Sequence, residues 1–239
     1  MPKYGEYWDY VSSKEKKLRA EKAINKLSKM RKLSPVVSNS RAIATTWWGK
    51  SWIRNLEGYA DYSSRLPRGR TYVRTGAVID LSIESGRITA LVTGSRSDPY
   101  EVSITISPLI TRTKKRLVGK CRSALTSLAS LLAGEFPPDL EKSFLARGDG
   151  LFPSPREIHF DCTCPDWADM CKHVAASLYG TAVRLDEKPE LFFILRGMQV
   201  EEFVGSVIKE ETRDIKEKTQ VHTNRILSDK DSRRLFDLH

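Results

Sequence analysis

Long apolar runs are missing from this 239-residue chain. None approaches the roughly 20 residues that a helix needs to cross a bilayer, so the expectation is a soluble protein with no membrane partner. The opening Met1-Pro-Lys-Tyr-Gly-Glu lacks the apolar core of a signal peptide. Cysteine is scarce, with four residues; three of them crowd into one short stretch, which argues against a disulfide framework and for a reducing, cytoplasmic setting, nucleoid association included. Motifs of common catalysis are also absent. There is no Gly-rich phosphate loop, no Ser-His-Asp order in a recognisable context and no pair of carboxylates at a credible motif. The chain therefore reads as non-enzymatic.

What is present is a globular composition, 40% hydrophobic and 29% charged, long enough for a sizeable core in one or two domains. Net charge is +10, unevenly spread. Residues 1–120 hold 24 Lys and Arg against 10 Asp and Glu, a net of +14; residues 121–239 hold 16 against 20, a net of −4. Attraction to DNA or RNA is therefore expected from the first half, and the alternative is a basic surface that is merely solvated.

Apolar periodicity divides the chain into three parts. Residues 1–44 form a basic helical arm and linker. A helix over 12–33, capped by Ser12 or Ser13, carries a thin stripe through Ala20, Ala23, Ile24 and Leu27; it reads as a mobile arm or a helix that docks on a partner, ended by Pro35. Residues 45–150 hold a β-meander and helices. Thr46 caps a helix whose Trp48, Trp52 and Leu56 recur at helical spacing, which favours core anchoring over base stacking. Arg65-Leu-Pro-Arg-Gly-Arg reads as a loop, then strands alternate through Ile79, Leu81 and Ile83, through Ile88, Ala90 and Val92, and through Val102, Ile104 and Ile106. Their apolar face needs a cover, and the tryptophan helix is the nearest candidate. A helix over 112–134 follows, with Leu117, Cys121, Leu125, Leu128 and Leu132 on its stripe and Gly134 at its end. Pro137-Pro138 turns into a short helix, and the loop from Gly148 to Pro155 precedes the third part, 151–239. The fold class is α+β, a small antiparallel meander packed by helices and followed by a helix-rich half. The phosphate-contact candidates are Lys14, Lys16, Lys17 and Arg19 on the first helix, and Arg54, Arg65, Arg68, Arg70 and Arg74 around the arginine loop; a solvated basic surface is the alternative for each.

The third part carries the chemistry. Cys162-Thr-Cys164, six intervening residues, then Cys171-Lys-His173 place four soft or borderline ligands within twelve residues. Three thiolates and an imidazole complete a tetrahedral shell, the preference of structural zinc, whereas catalytic zinc keeps a position open for water. One structural Zn²⁺ is expected. Glu157 to Asp161 reads as a strand entering Cys162, so Cys162 and Cys164, two apart, face one way. His173 opens the helical run Val174-Ala-Ala-Ser-Leu-Tyr. The result is a β-turn-α finger, and Cys164→Ala is expected to unfold residues 157–180. The rival is a redox dithiol of Cys162 and Cys164, with His173 lowering a thiol pKa; it leaves Cys171 and His173 without a role. His159 faces away by alternation. Asp161, Asp166 and Asp169 are either partners of His173 or solvated, and Trp167 is either a contact residue or a cap on the small core. Two further helices are read over 189–196 and 199–218, and Leu235, Phe236 and Leu238 form an apolar tip.

The pattern Cys-x-Cys, spacer, Cys-x-His resembles the SWIM zinc finger family. The likeness extends from Thr46-Trp-Trp-Gly and Leu66-Pro-Arg-Gly through Cys-Thr-Cys-Pro-Asp-Trp-Ala-Asp-Met-Cys-Lys-His to Tyr179-Gly and Leu185-Asp, about residues 45–200. The resemblance implies a DNA-binding or protein-interaction module of the stand-alone bacterial or archaeal type, sometimes associated with Swi/Snf-type helicases. A zinc-binding adaptor beside such a helicase is the expected function; a direct, sequence-nonspecific DNA or RNA binder is the alternative, with a thiol redox enzyme behind it.

Overall fold

In the computed structural model the described residues are 12–38, 42–58, 65–121, 128–135 and 137–207. Leu125 and the tip at Leu235, Phe236 and Leu238 lie outside them. The architecture is α+β. Helix α1 (Ser13–Leu27) begins where Ser12 Oγ accepts the Glu15 N–H. Helix α2 (Trp47–Glu57) is capped by Thr46, whose hydroxyl oxygen accepts from Gly49. The arginine segment folds as helix α3 (Leu66–Arg74), not as a loop: Pro67 stands in its first turn, where a missing N–H costs nothing, and Gly69 faces α7.

Strands β1 (Val78–Glu84), β2 (Arg87–Val92) and β3 (Tyr100–Ile106) form the expected meander, and β4 (Ile158–Cys162) adds antiparallel to β3. The strand that enters the cysteines is thus the fourth strand of the meander's sheet. Helices α4 (Thr111–Cys121), α5 (Leu128–Ala133) and α6 (Pro138–Leu145) follow β3. Gly134 ends α5 at a φ of +75°, as its position after the apolar stripe suggests. Cys121 is buried, and burial pushes its thiol up to about 12.

Helix α7 (Lys172–Glu187) covers the sheet, touching all four strands, with α2 and α3 packed on its other side. The tryptophan helix therefore sits behind α7 rather than on the strands. Residues 173–182 are buried without interruption, as expected of a helix enclosed on every side. Its small residues permit this. A Cβ on Gly69 would lie 2.7 Å from the Ala175 Cβ, and one on Gly180 would lie 3.0 Å from Leu81. Ser177 and Thr181 satisfy their hydroxyls on the carbonyls of His173 and Ser177. Trp48 and Trp52 are fully buried and donate their indole N–H groups to Leu131 O and Leu178 O, so these two are core anchors. Asp186 of α7 accepts from the Thr45 hydroxyl and from both the N–H and hydroxyl of Thr46, fixing the start of α2.

Strand alternation places Ile79 with Leu81 and Ile83, but a bulge intervenes. Val78 pairs with Val92 and Asp80 with Leu91, so Ile79 is extra. It turns to the opposite face, where it packs with Ala20 and Ala23 of α1, joined by Ile24, Leu27 and Leu91. The thin stripe of α1 thus docks on this chain's own sheet. The segment after α1 is likewise not free. Val36 N–H donates to Val78 O, and Ser34 O accepts from Leu81, occupying backbone groups of the edge strand.

Helix α8 (Glu190–Leu195) leads to Arg196, and residues 200–207 are helical. Arg196 exposes only 2% of its side chain and donates to Ser107 O at 2.6 Å and to Glu157 Oε1 at 2.7 Å. It joins the end of α8, the end of β3 and the entry to β4.

Candidate metal centre

The strand β4 delivers Cys162, the following turn delivers Cys164, and the start of α7 delivers Cys171 and His173. Cys171 is the N-cap of α7, and its sulfur accepts the Val174 N–H at 3.4 Å. One ligand atom from each of the four residues lies within 4.8 Å of every other. His173 Nδ1 is 3.9 Å from Cys162 Sγ and 3.8 Å from Cys171 Sγ. A tetrahedral ion with bonds of about 2.0–2.3 Å has donor–donor edges of roughly 3.5–3.8 Å, so the cluster has the size of one coordination shell. Cys171 and His173 are buried, while Cys162 and Cys164 are half-buried. The site can hold a metal ion.

The electrostatics agree with that fit. The Cys162 thiol, donating to the Cys171 sulfur, holds the Cys171 thiol down against burial, and His173 and the Val174 N–H act the same way. Cys162 is pushed up, first by that shared proton and then by burial. Burial also pushes Cys164 up, opposed by the Asp166 N–H. Without a cation one thiolate is favoured and its neighbours resist ionisation. A divalent ion removes the conflict, since coordinated thiols are deprotonated outright.

What orients His173 is aromatic rather than acidic. Its ring stacks on Tyr100, with centroids 4.1 Å apart and planes 21° apart, and meets Tyr72 edge-on at 5.6 Å. With Nδ1 turned to the sulfurs, Nε2 is buried and has no hydrogen-bond partner among the described residues. None of the nearby carboxylates serves it. Asp161 and Asp169 are exposed, and Asp166 accepts from Arg65 and from the Ala168 N–H. His159 is exposed and pairs with Thr105, facing away as alternation requires. Tyr100 was open to discovery in the sequence, because it has the parity of the buried Val102, Ile104 and Ile106. Gly94 carried no such signal. A Cβ there would lie 2.6 Å from the Tyr100 ring and 2.9 Å from His173 Nε2, and both rings are enclosed. Gly94→Ala is expected to displace His173 and weaken metal binding about 10- to 100-fold, the range seen when groups that orient ligands are disturbed. Competition against a metallochromic chelator measures it; unchanged affinity would show that the rings can yield.

The basic candidates fall into separate settings. Lys14 and Lys17 are exposed on α1. Arg19 is bound to Glu15 and to the carbonyls of Gly94 and Ser95. Arg54 reaches Glu141 at 3.8 Å, Arg65 reaches Asp166 at 3.1 Å, and Arg70 is paired with Glu57, which also accepts the Tyr179 hydroxyl. Arg68 and Arg74 are exposed on α3. Lys16 lies 5.4 Å from the Tyr72 ring centroid. The structure thus brings Lys16, through Tyr72, toward the metal cluster and commits Arg54, Arg65 and Arg70 to pairs within the chain. Trp167, in the loop between Cys164 and Cys171, is 92% exposed and does not cap the core.

The sheet, the enclosed helix and the three-cysteine, one-histidine cluster define an α+β protein with a candidate metal centre built into its core. The chain is similar to the uncharacterized protein Rv2102 of Mycobacterium tuberculosis, with 39% identity over 171 residues, 71% of this chain and 61% of that protein. It spans less than two thirds of that relative's length. No protein-family profile matches the chain, and no solved structure matches it. Among the described residues no helix is long and apolar enough to cross a membrane.

Proposed function

We propose that this protein is a non-enzymatic zinc-binding adaptor of a nucleic-acid-associated complex, working in the cytoplasm or nucleoid beside a Swi/Snf-type helicase. The observation that carries the reading is the closed ligand set. Three sulfurs and Nδ1 converge at the entrance to the central helix, filling a tetrahedral shell with protein donors and leaving the ion no position for water or substrate. Sulfur-rich tetrahedral sites of this kind favour zinc among the common divalent ions. The helicase comes from the resemblance to SWIM fingers carried by Cys162, Cys164, Cys171 and His173. Direct, sequence-nonspecific binding of DNA or RNA is the second reading, favoured by the +14 charge of residues 1–120.

Affinity capture of the tagged full chain from native cells, with and without nuclease, separates the two. A helicase retained after nuclease treatment supports the adaptor; partners lost with nuclease point to a nucleic-acid bridge. Elemental analysis of the purified chain is expected to give about one zinc per molecule, and its absence would overturn the zinc assignment.

A further inference from the structure

The outer edge of β1 is a strand lane that the chain only half fills. Val36 donates its N–H to Val78 O and Ser34 O accepts from Leu81, so residues 34–36 lie along the first part of that edge. They go no further. Asp80 takes the Ser34 N–H at 2.9 Å and pairs with Arg31 at 2.8 Å, which turns the segment away. Leu81 points its N–H away from β2, and antiparallel alternation gives the backbone groups of Ile83 the same sense. Among the described residues no other segment bonds to the Ile83 N–H or carbonyl. Beside this open stretch lies a cleft of about 510 Å³, lined by residues 32–34, by β1 and by the ends of α7 and α8. Leu33, Ile83 and Leu191 give it half-buried apolar surface. Its carboxylates are already held, Asp80 by Arg31 and Glu187 by Arg184 at 2.9 Å. Arg184 also donates to the carbonyls of Ser34 and Pro35, clamping the segment that begins the lane. The remaining charges of the cleft, Lys32 and Lys188, are exposed and form no ion pair among the described residues. An open strand lane, apolar lining and two spare cations fit one kind of guest, an extended segment in which acidic and apolar residues alternate. A second copy of β1 would bring like lysines together, which disfavours self-pairing.

We infer that the open half of the β1 edge binds an extended acidic segment of a partner protein, which adds to the sheet as an outer strand bonded to the Ile83 backbone, with its carboxylates on Lys32 and Lys188. The inference goes beyond the proposed function. It gives the chain a partner-binding edge at the end of α7 opposite Cys171 and His173, and it depends on neither zinc nor nucleic acid.

The test is fluorescence anisotropy of the metal-loaded full chain with a labelled, end-blocked heptapeptide alternating Glu and Val. The same peptide with Pro at its central Val keeps the charge but loses a backbone N–H, and is expected to bind about 5- to 10-fold more weakly. A heptapeptide alternating Lys and Val is expected to bind about 3- to 10-fold more weakly than its Glu counterpart. Lys32→Glu/Lys188→Glu changes two exposed side chains and is expected to reverse that order. Amide exchange reads the geometry: the Ile83 N–H is expected to exchange at least about 10-fold more slowly at saturating peptide. Equal affinity for the Pro peptide, an order of preference that the double variant leaves unchanged, or an Ile83 amide that exchanges as before would each overturn the inference. So would no binding at about 1 mM peptide; self-association through β1 in its place would make a second copy the occupant. Any of these results leaves the adaptor reading standing, since that is judged by zinc content and nuclease-resistant capture.

Discussion

Stripping the metal, or replacing Cys164 with alanine, is expected to unfold the entire core and not only residues 157–180. Metal binding in small metal fingers contributes on the order of 10 kcal/mol to folding, comparable with the whole net stability of a typical domain, about 5–15 kcal/mol. In a self-contained finger the loss would stay local. Here β4 is hydrogen-bonded to β3 along its length, and α7 touches every strand while carrying α2 and α3 on its far side. A fault at Cys171 and His173 therefore enters the element that everything else packs on. Thermal unfolding with and without chelator, combined with amide exchange, measures the reach. Loss of protection across β1 to β3 is the expected result. Protection lost only in 157–180 would mean the ion secures the loop and nothing more.

Arg196→Met is expected to cost about 3–5 kcal/mol at neutral pH, read from denaturant unfolding, because it strands Glu157 without its cation at a partly buried site. Removing both charges, as Arg196→Met/Glu157→Gln, is expected to recover much of that loss; an equally unstable double variant would show that the guanidinium bond to Ser107 O, not the pair, is what counts. The pH dependence has a defined sign. Burial alone would raise Glu157, but the Ser154 N–H and Arg196 outweigh it and hold the carboxyl below its ordinary value. The pair's contribution is therefore full above the ordinary glutamate range, near pH 4.3, and fades as pH falls through the lower folded value. The gap between the parent and Arg196→Met narrows over that acid window.

Features governed by neighbours in sequence were legible before the structure. Ser12, Thr46 and Gly134 mark helix ends because capping depends on groups three or four residues away. Trp48, Trp52 and Leu56 declare a buried face by spacing alone. The candidate ligand set is readable for the same reason: Cys162 at a strand end, Cys164 in the turn after it and Cys171 and His173 at a helix entrance are brought together by a short stretch of chain. Ile79 was not legible, because a bulge is a property of two paired strands and reverses the side on which a residue emerges. The arginine segment looked like a loop because proline and glycine break helices in isolation, yet Pro67 sits in a first turn and Gly69 is needed where α3 presses on Ala175.

What the sequence by itself determined is thus the candidate metal-binding set, the local elements and the α+β class, all set by contacts within about one turn or one hairpin. Only the tertiary structure decided that the cysteine finger supplies the sheet's fourth strand, that α7 rather than the tryptophan helix covers that sheet, and that Lys16 of α1, Tyr72 of α3 and His173 of α7 meet. Those residues lie up to 157 positions apart in the chain, and no periodicity encodes which distant surfaces bury one another. That choice is made by packing, when small residues on α7 let two layers close on it at once.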